Sequence, residues 1–264
     1  MVAPADIFYR AAAWLKHRLT ARNTLGYGVH SPYLYYIVRF LMYDDNRYYC
    51  FDSVEAERHR LLTDRSTVNV ADYGTGKSGP RRVCDIAASS LMPRHEAQML
   101  FRLVNHLHPA TVVELGTSLG ITTAYLSKAA PADASVYTLE GSASFAETAQ
   151  KVWSRLGCRN IHSVQGGIAD TLPALLQSIR QADFAIIDAC HTYEATLQWF
   201  SLIADKCGEK SVVVVHDIHG SRGMGKAWHE IRHDSRVQVS FDLYSLGIVF
   251  FDRHLLHKHY VMNI

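Results

Sequence analysis

Two short segments place acidic and imidazole side chains directly after runs of apolar residues. In FAIIDACHTYE, Asp188 follows the apolar run and His191 comes three residues later, and in VVVVHDIHGS, His216 and Asp217 follow four valines. Carboxylate oxygens and imidazole nitrogens bind divalent cations, and an imidazole with a pKa of about 6.5 accepts a proton near neutral pH. Asp188, His216 and Asp217 are therefore candidate metal ligands. His191 is the candidate general base.

A glycine-containing turn lies earlier in the chain, within TVVELGTSLGITTAYLS, residues 111–127. Apolar residues lead to Gly116, and a helical pattern begins after Gly120, as in the strand–turn–helix units that bind nucleotides. A dinucleotide fingerprint would need glycines at positions 116, 118 and 121, whereas Ser118 and Ile121 stand at the last two. This substitution disfavours a nicotinamide cofactor.

An acidic residue also stands where a ribose would bind. VYTLEG places Glu140 at the end of a second predicted strand, twenty residues after Gly120. A carboxylate at that position can accept hydrogen bonds from both ribose hydroxyls. Glu114, Gln165 and Gly166 also lie at predicted strand ends, where ligands of open α/β sheets bind.

The elements that must position these residues follow from the hydrophobic pattern. From Pro93 onward, apolar strands alternate with amphipathic helices, which predicts a Rossmann-like, doubly wound and mostly parallel sheet covered on both faces. The last two predicted strands, VQVSFDLYS and LGIVFFD, are joined by a short turn and must therefore be antiparallel. The predicted fold class is α/β with a C-terminal antiparallel hairpin.

The first part of the chain predicts a helical segment. Helices are expected over residues 5–20, from Ser31 and Pro32 to Tyr43, and over residues 54–62. We assign residues 1–92 to this segment, which would form a lid or a homodimer contact, and residues 93–264 to the cofactor-binding domain.

The GTGKS sequence at residues 74–78 is similar to part of a phosphate-binding loop. That motif requires glycine at position 71, where Ala71 stands, so the sequence favours a glycine-rich loop that covers a site.

Composition excludes several classes of protein. The 264 residues carry a formal charge of +2 without a basic tract, which disfavours a nucleic-acid partner. Five widely spaced cysteines without a CxxC motif disfavour a disulfide framework or a thiolate zinc site. The sequence contains no run of eighteen apolar residues, which a membrane-spanning helix would need. These features predict a protein of the reducing cytoplasm with no membrane or nucleic-acid partner.

Several segments together resemble a known family. ELGTSLG (114–120), IDACHTYE (187–194), HDIHGS (216–221), GVHSPY (28–33) and GIVFF (247–251) resemble motifs of class I S-adenosylmethionine (SAM)-dependent methyltransferases related to small-molecule and sugar O-methyltransferases. The resemblance implies SAM as the cofactor and a small-molecule acceptor. Together with the position of these residues at predicted strand ends, the resemblance implies contacts with the methyl donor from Glu114, Gly116, Thr117, Ser118, Gly120, Glu140, Gly141, Gln165, Gly166 and Asp188.

For catalysis, the resemblance implies magnesium ligands at Asp188, His216 and Asp217 and a base at His191, and Asp188 is also a candidate catalytic residue. The chain departs from the family where His216 replaces an acid, Ala189 replaces a glycine and Gly220 replaces a tryptophan. Histidine is a poor magnesium ligand, so another divalent metal, or none, is the alternative.

Other interpretations of these residues remain open. Asp188 could hold the amino group of the donor, or the substrate, without any metal. His191 could be a structural residue, which is how we interpret His219, His229 and His233, and also the histidines at 254, 257 and 259. The leading hypothesis is O-methylation of a small molecule, with N-methylation open, and the alternative is a SAM-binding protein without turnover.

Overall fold

The computed structural model describes residues 4–70 and 78–264, so most of the GTGKS segment lies outside the described residues. Within these ranges the α-helices are α1 (Pro4–Thr20), α2 (Pro32–Tyr36), α3 (Phe51–Thr63), α4 (Val83–Ser90), α5 (Arg94–Leu107), α6 (Ile121–Ala129), α7 (Ala143–Leu156), α8 (Ile168–Ser178), α9 (Tyr193–Ala204) and α10 (Arg222–Ile231). The strands there are β1 (Thr67–Val70), β2 (Gly79–Arg82), β3 (Thr111–Leu115), β4 (Ser135–Glu140), β5 (Ile161–Gln165), β6 (Phe184–Ile187), β7 (Val212–His216), β8 (Val239–Asp242), β9 (Leu246–Phe250) and β10 (Lys258–Val261).

The predicted helix after Ser31 is present, with a change in its geometry. The Ser31 hydroxyl accepts the Leu34 N–H at 3.4 Å, and Pro32 occupies the first turn, where no N–H partner is needed. After Tyr36 the chain continues as a π-helix from Ile37 to Met42. The predicted helix is therefore confirmed in position, but its second half is wider than an α-helix.

Three elements have no counterpart in the sequence-based prediction. The two strands of the β1–β2 hairpin and the strand β10 have four residues each, and most of their positions are exposed or partly buried, with GPRR forming β2. Helix α4 follows β2 directly and contains two serines in its last turn. The three short strands give no clear apolar alternation, and their pairing depends on neighbouring strands. Helix α4 has buried apolar residues at helical spacing (Val83, Ile86 and Ala87), but its eight residues are too few for a strong periodic signal.

Residues 44–175 form one compact unit. Strands β3, β4 and β5 run parallel in that order, with Thr111 opposite Ser135 and Val136 opposite Ile161. The carboxyl ends of the three strands therefore lie at one edge of this sheet, which is where the predicted donor-binding residues stand.

Residues 1–43 and 176–264 form a second compact unit. Strands β6 and β7 run parallel, β9 pairs antiparallel with both β7 and β8, and β10 pairs parallel with β8. The four valines of β7 are at most 1% exposed, as expected for a strand covered on both faces. The predicted α/β class, the mostly parallel pairing and the antiparallel hairpin are confirmed, although β10 follows that hairpin.

Among residues 4–70 and 78–264, every helix is either too short or too polar to cross a lipid bilayer. The division of function between residues 1–92 and 93–264 stays a prediction.

A partly buried histidine on β10, His259, makes stability depend on pH. His259 Nδ1 lies 2.8 Å from Ser240 Oγ, and burial together with the positive charge of His233 and Arg232 lowers the pKa of His259 to about 4. The unfolded chain binds this proton near pH 6.5, whereas the folded chain does not bind it until about pH 4. Stability is therefore full above pH 6.5 and falls as the pH decreases towards 4.

We expect His259→Gln to remove part of this pH dependence. After allowance for solvent screening, the free energy of unfolding of the variant should fall by about 1 kcal/mol less than that of the wild type between pH 7 and pH 4.5. Urea unfolding of both proteins at the two pH values measures it, with the exposed His254→Gln as the control. Equal slopes in all three proteins would contradict the assignment.

Candidate functional site

The turn after β3 has the backbone conformation that its glycines allow. Gly116, with a φ of 98°, donates its N–H to the Leu139 carbonyl at 3.0 Å, which joins the turn to β4. Gly120, with a φ of 80°, is the residue before helix α6. Between them Ser118 also has a positive φ, of 49°, which is uncommon for a residue with a side chain. The turn is therefore held in a strained conformation at the end of a strand, as functional turns often are.

Glu140 is fixed beside this turn. Its Oε2 accepts the Ser118 N–H and its Oε1 accepts the Ser142 N–H, both at 2.9 Å. The Glu140 carbonyl accepts the Gly166 N–H at 2.9 Å, which brings the end of β5 to the end of β4. Glu140 itself is partly exposed, and Gln165, opposite it in the register, is exposed. The structure thus brings the glycine turn, Glu140, Gly141, Gln165 and Gly166 to the same edge of the sheet.

Glu114 has a different environment from Glu140. It is 1% exposed, and its Oε2 accepts hydrogen bonds from the hydroxyls of Thr123 at 2.5 Å and Thr138 at 2.6 Å. The Thr117 hydroxyl lies 2.5 Å from that of Thr138. This network connects β3, β4, the turn and α6, so Glu114 and Thr117 hold the turn in place. Thr123 and Thr138 are not among the residues predicted from the sequence. Thr138 lies in a strand, where threonine is a common residue and gives no specific signal.

The packing around Gly120 gives a prediction about stability. A Cβ atom at this position would lie 2.6 Å from Trp153 Nε1 and 2.7 Å from Ala149 Cβ. Gly157, which ends α7 with a φ of 65°, has no atom within 4 Å of such a Cβ. We expect Gly157→Ala to cost about 1 kcal/mol, the cost of a left-handed conformation for alanine.

Gly120→Ala should cost about 1 to 3 kcal/mol more than Gly157→Ala because it adds overpacking to the same backbone cost. Urea unfolding of both variants separates the two contributions. Equal losses would mean that the contact with Trp153 relaxes freely.

A second group of predicted residues meets at the ends of β6 and β7. His216 Nδ1 lies 2.7 Å from Asp188 Oδ1, and His191 Nε2 lies 3.6 Å from the same oxygen. The two imidazole rings meet edge to face with their centres 6.0 Å apart. Ligand-type atoms of all three residues lie within 4.8 Å of one another, and Asp217 does not belong to this group. The structure thus brings together Asp188, His191 and His216.

Electrostatics keep the Asp188 carboxylate ionised. Burial alone would raise the pKa of Asp188, but the positive charge and the hydrogen bond of His216, followed by the charge of His191, hold it below its usual value. Asp188 is therefore a carboxylate that can stabilise a protonated imidazole on either side of it. The side chain of His191 is 38% exposed and that of His216 is 14% exposed, so His191 is the more accessible of the two.

The loops that carry these residues are also strained. Cys190, His191 and Asp217 have φ values of 58°, 46° and 54°. Each non-glycine residue in this conformation costs about 1–3 kcal/mol, and such residues cluster at functional sites. The strain places His191 and Asp217 in tight turns directly after their strands.

Comparisons with known proteins give consistent results. Residues 113–218 match the model of a family described as methyltransferase domain. A Mycobacterium tuberculosis protein, Rv1703c, named as a probable O-methyltransferase, is 26% identical over 207 residues, which cover 67% of this chain and 88% of that protein.

Two solved structures are similar in fold. The O-methyltransferase TomG from Streptomyces achromogenes, in complex with SAM, has 17% identity and a TM-score of 0.58 over 78% of this chain and 91% of its own. An O-methyltransferase from Bacillus cereus, in complex with SAH, has 14% identity and a TM-score of 0.58 over 78% of this chain and 92% of its own. At these sequence identities the similarity shows a shared fold and nothing more. This shared fold confirms the predicted Rossmann-like architecture.

Proposed function

We propose that this chain is a SAM-dependent methyltransferase that transfers a methyl group from SAM to a hydroxyl oxygen of a small-molecule acceptor, supported by the match of residues 113–218 to a methyltransferase-domain family. The observation that carries the proposal is the position of Glu140. Its carboxylate is oriented by two backbone N–H groups beside a glycine turn, at the carboxyl end of a parallel sheet.

The residues around the turn fit the adenosyl part of the donor. A carboxylate at the end of β4 can accept hydrogen bonds from the two hydroxyls of a ribose, and the glycine turn beside it leads directly into α6. The proposed donor contacts are Gly116, Ser118, Gly120, Glu140, Gly141, Gln165 and Gly166. Glu114 and Thr117 contribute by holding the turn, since Glu114 is buried among threonine hydroxyls.

When bound, SAM supplies a methyl group attached to its sulfonium sulfur. After transfer of the methyl group, the rest of the donor is a neutral thioether. The protein must align the acceptor with that methyl group and accept the proton of the hydroxyl. We assign proton acceptance to a ring nitrogen of His191. Transfer would break the bond between the methyl carbon and the sulfonium sulfur, form a bond from that carbon to the acceptor oxygen, and pass the hydroxyl proton to the His191 imidazole. Asp188 then stabilises the imidazolium.

The residues do not fit a magnesium site. Asp188, His191 and His216 offer one carboxylate and two imidazoles, whereas magnesium prefers oxygen ligands in an octahedral arrangement. His216 also contacts Asp188 directly. No step is therefore assigned to magnesium at Asp188, His216 and Asp217, and we expect turnover to be the same with and without added magnesium.

Incubation with SAM labelled in the methyl group and a panel of phenols, alcohols and sugars tests the proposed function. Transfer of label to a hydroxyl compound supports it, and an equivalent panel of amines tests N-methylation. Donor binding without transfer to any compound would instead indicate a SAM-binding protein without turnover.

We also propose a cytoplasmic homodimer, in which the helical part of residues 1–92 forms a dimer contact or a lid. Helix α1 supports this proposal because it exposes large apolar side chains, including Phe8 at 78% and Leu19 at 73%. Light scattering of the wild type and of a Phe8→Glu, Leu19→Glu variant tests the contact. A variant that stays dimeric would contradict it.

A further inference from the structure

A second cluster of metal-ligand side chains lies within the unit of residues 1–43 and 176–264. It consists of His17 in the last turn of α1, Asp242 at the end of β8, and His219 in the loop between β7 and α10. His17 Nδ1 lies 3.2 Å from Asp242 Oδ1, and His219 Nε2 lies 3.0 Å from Asp242 Oδ2. One ligand atom of each residue lies within 4.8 Å of the others.

These separations fit a tetrahedral metal ion. With bonds of about 2.0–2.1 Å to nitrogen and oxygen, two ligands of a tetrahedral zinc ion lie about 3.3 Å apart. Asp242 Oδ1 lies 3.2 Å from His17 Nδ1 and 3.2 Å from His219 Nε2, and both distances are close to this value. The side chains therefore need little movement to admit an ion between them.

The outer contacts of His17 and Asp242 are those of metal ligands. His17 Nε2 lies 3.2 Å from the Met262 carbonyl, which can only accept a hydrogen bond, so this nitrogen carries the proton. In a neutral imidazole the Nδ1 lone pair then faces the Asp242 carboxylate. Two lone pairs repel each other, and a cation between them removes the repulsion. A backbone carbonyl that fixes the tautomer of a histidine is a regular partner of metal-binding histidines.

Asp242 is oriented in the same way. Its Oδ2 accepts the Trp228 indole N–H at 3.0 Å, and its Oδ1 accepts the Tyr244 backbone N–H at 3.1 Å. The ring of Tyr244 stacks on His219 and meets His17 edge to face, with ring centres 5.6 Å apart in both pairs. His17 and Asp242 are 5% and 6% exposed. His17 and Asp242 are therefore buried, His219 is partly buried, and contacts with neighbouring residues orient all three side chains.

The cluster has an entry path. His17, His219 and Asp242 line a cavity of about 340 Å³, whose wall also includes Lys16 and Arg232. An ion can reach the cluster through this cavity, and a water molecule or an anionic group in it can complete the coordination.

We propose that His17, His219 and Asp242 bind one divalent transition-metal ion, and that the ion is zinc. Two imidazoles and one carboxylate are a ligand set typical of zinc, with the fourth position open to the cavity. The ion would connect α1, near the start of the chain, to β8, near its end. This proposal does not depend on the proposed methyl transfer, because it concerns a different set of residues.

Zinc titration of metal-free protein, with bound zinc measured after equilibrium dialysis, tests the site. We expect one zinc ion per chain in the wild type and in His216→Ala, which disrupts the other cluster of ligand-type residues. In His219→Ala and His17→Ala we expect the affinity for zinc to fall more than about 100-fold. Loss of a residue that only contacts a metal ligand costs roughly 10- to 100-fold, and loss of a ligand itself should cost more. Wild-type protein without bound zinc would overturn the proposal, and so would loss of zinc in His216→Ala with retention in His219→Ala.

A second measurement covers the case in which a variant does not fold. X-ray absorption at the zinc edge of the wild-type protein should show nitrogen and oxygen neighbours near 2.0–2.1 Å with the scattering pattern of two imidazoles. Thermal unfolding adds a comparison, since zinc should raise the Tm of His216→Ala and leave that of His219→Ala unchanged. An absorption spectrum without imidazole scattering would exclude the proposed ligands.

Discussion

Replacing Glu140 with alanine is expected to weaken SAM binding about 100-fold. In the proposed complex the carboxylate accepts both ribose hydroxyls, and a hydrogen bond to a charged group contributes about 1.5–3 kcal/mol. A total loss near 3 kcal/mol corresponds to about two orders of magnitude in Kd. Alanine also removes the acceptor of the Ser118 and Ser142 N–H groups, which loosens the turn. Isothermal titration calorimetry with SAM and with SAH measures the affinity.

The exposed Glu147 on α7 provides a matched control. Glu147→Ala removes the same charge from the same compact unit and should leave the Kd for SAM unchanged. Urea unfolding of both variants shows whether a weaker affinity reflects lost stability. An unchanged affinity in folded Glu140→Ala would mean that the ribose contact is assigned to the wrong residue.

Replacing His191 with alanine is expected to lower kcat by about 10² to 10⁴, the usual contribution of a general base. The affinity for SAM should stay within about twofold, because no donor contact is assigned to this side chain. Single-turnover transfer to an acceptor found in the labelling panel measures the rate. Asp188→Asn should also slow transfer, since the neutral amide stabilises the imidazolium less than the carboxylate does.

His254→Ala is the control for His191→Ala. His254 is an exposed histidine in the same compact unit, and its replacement should leave kcat and SAM affinity unchanged. Full activity of His191→Ala would remove this residue as the base. His216, which is less exposed and closer to Asp188, would then be the next residue to test.

Much of the fold could be predicted from local sequence signals. The proline before α5, the glycine that ends α7 and the serine before α2 each favour one backbone conformation through short-range sterics and hydrogen bonding. The valine-rich run of β7 indicated a strand covered on both faces, and the short turn between β8 and β9 required an antiparallel pair. Such signals act within a few residues, so they can be recognised without knowing what packs against them.

The polar strands and the wide helical turn could not be predicted in this way. The GPRR segment pairs with β1 although its composition does not favour a strand, because the hairpin supplies its hydrogen bonds. The π-helix of Ile37–Met42 has the same apolar residues as an ordinary helix. In both cases the neighbouring structure determines the conformation.

The sequence alone determined which residue types stand at strand ends, and therefore the candidates for the donor turn, Glu140, Asp188 and His191. Only the tertiary structure decided how they pair. It placed Glu140 against the N–H of Ser118, buried Glu114 among threonines, and joined His17 to Asp242 across almost the whole chain. Backbone conformation follows from local sterics and from the periodic spacing of apolar residues. Contacts between distant segments depend instead on how whole helices and strands pack against one another.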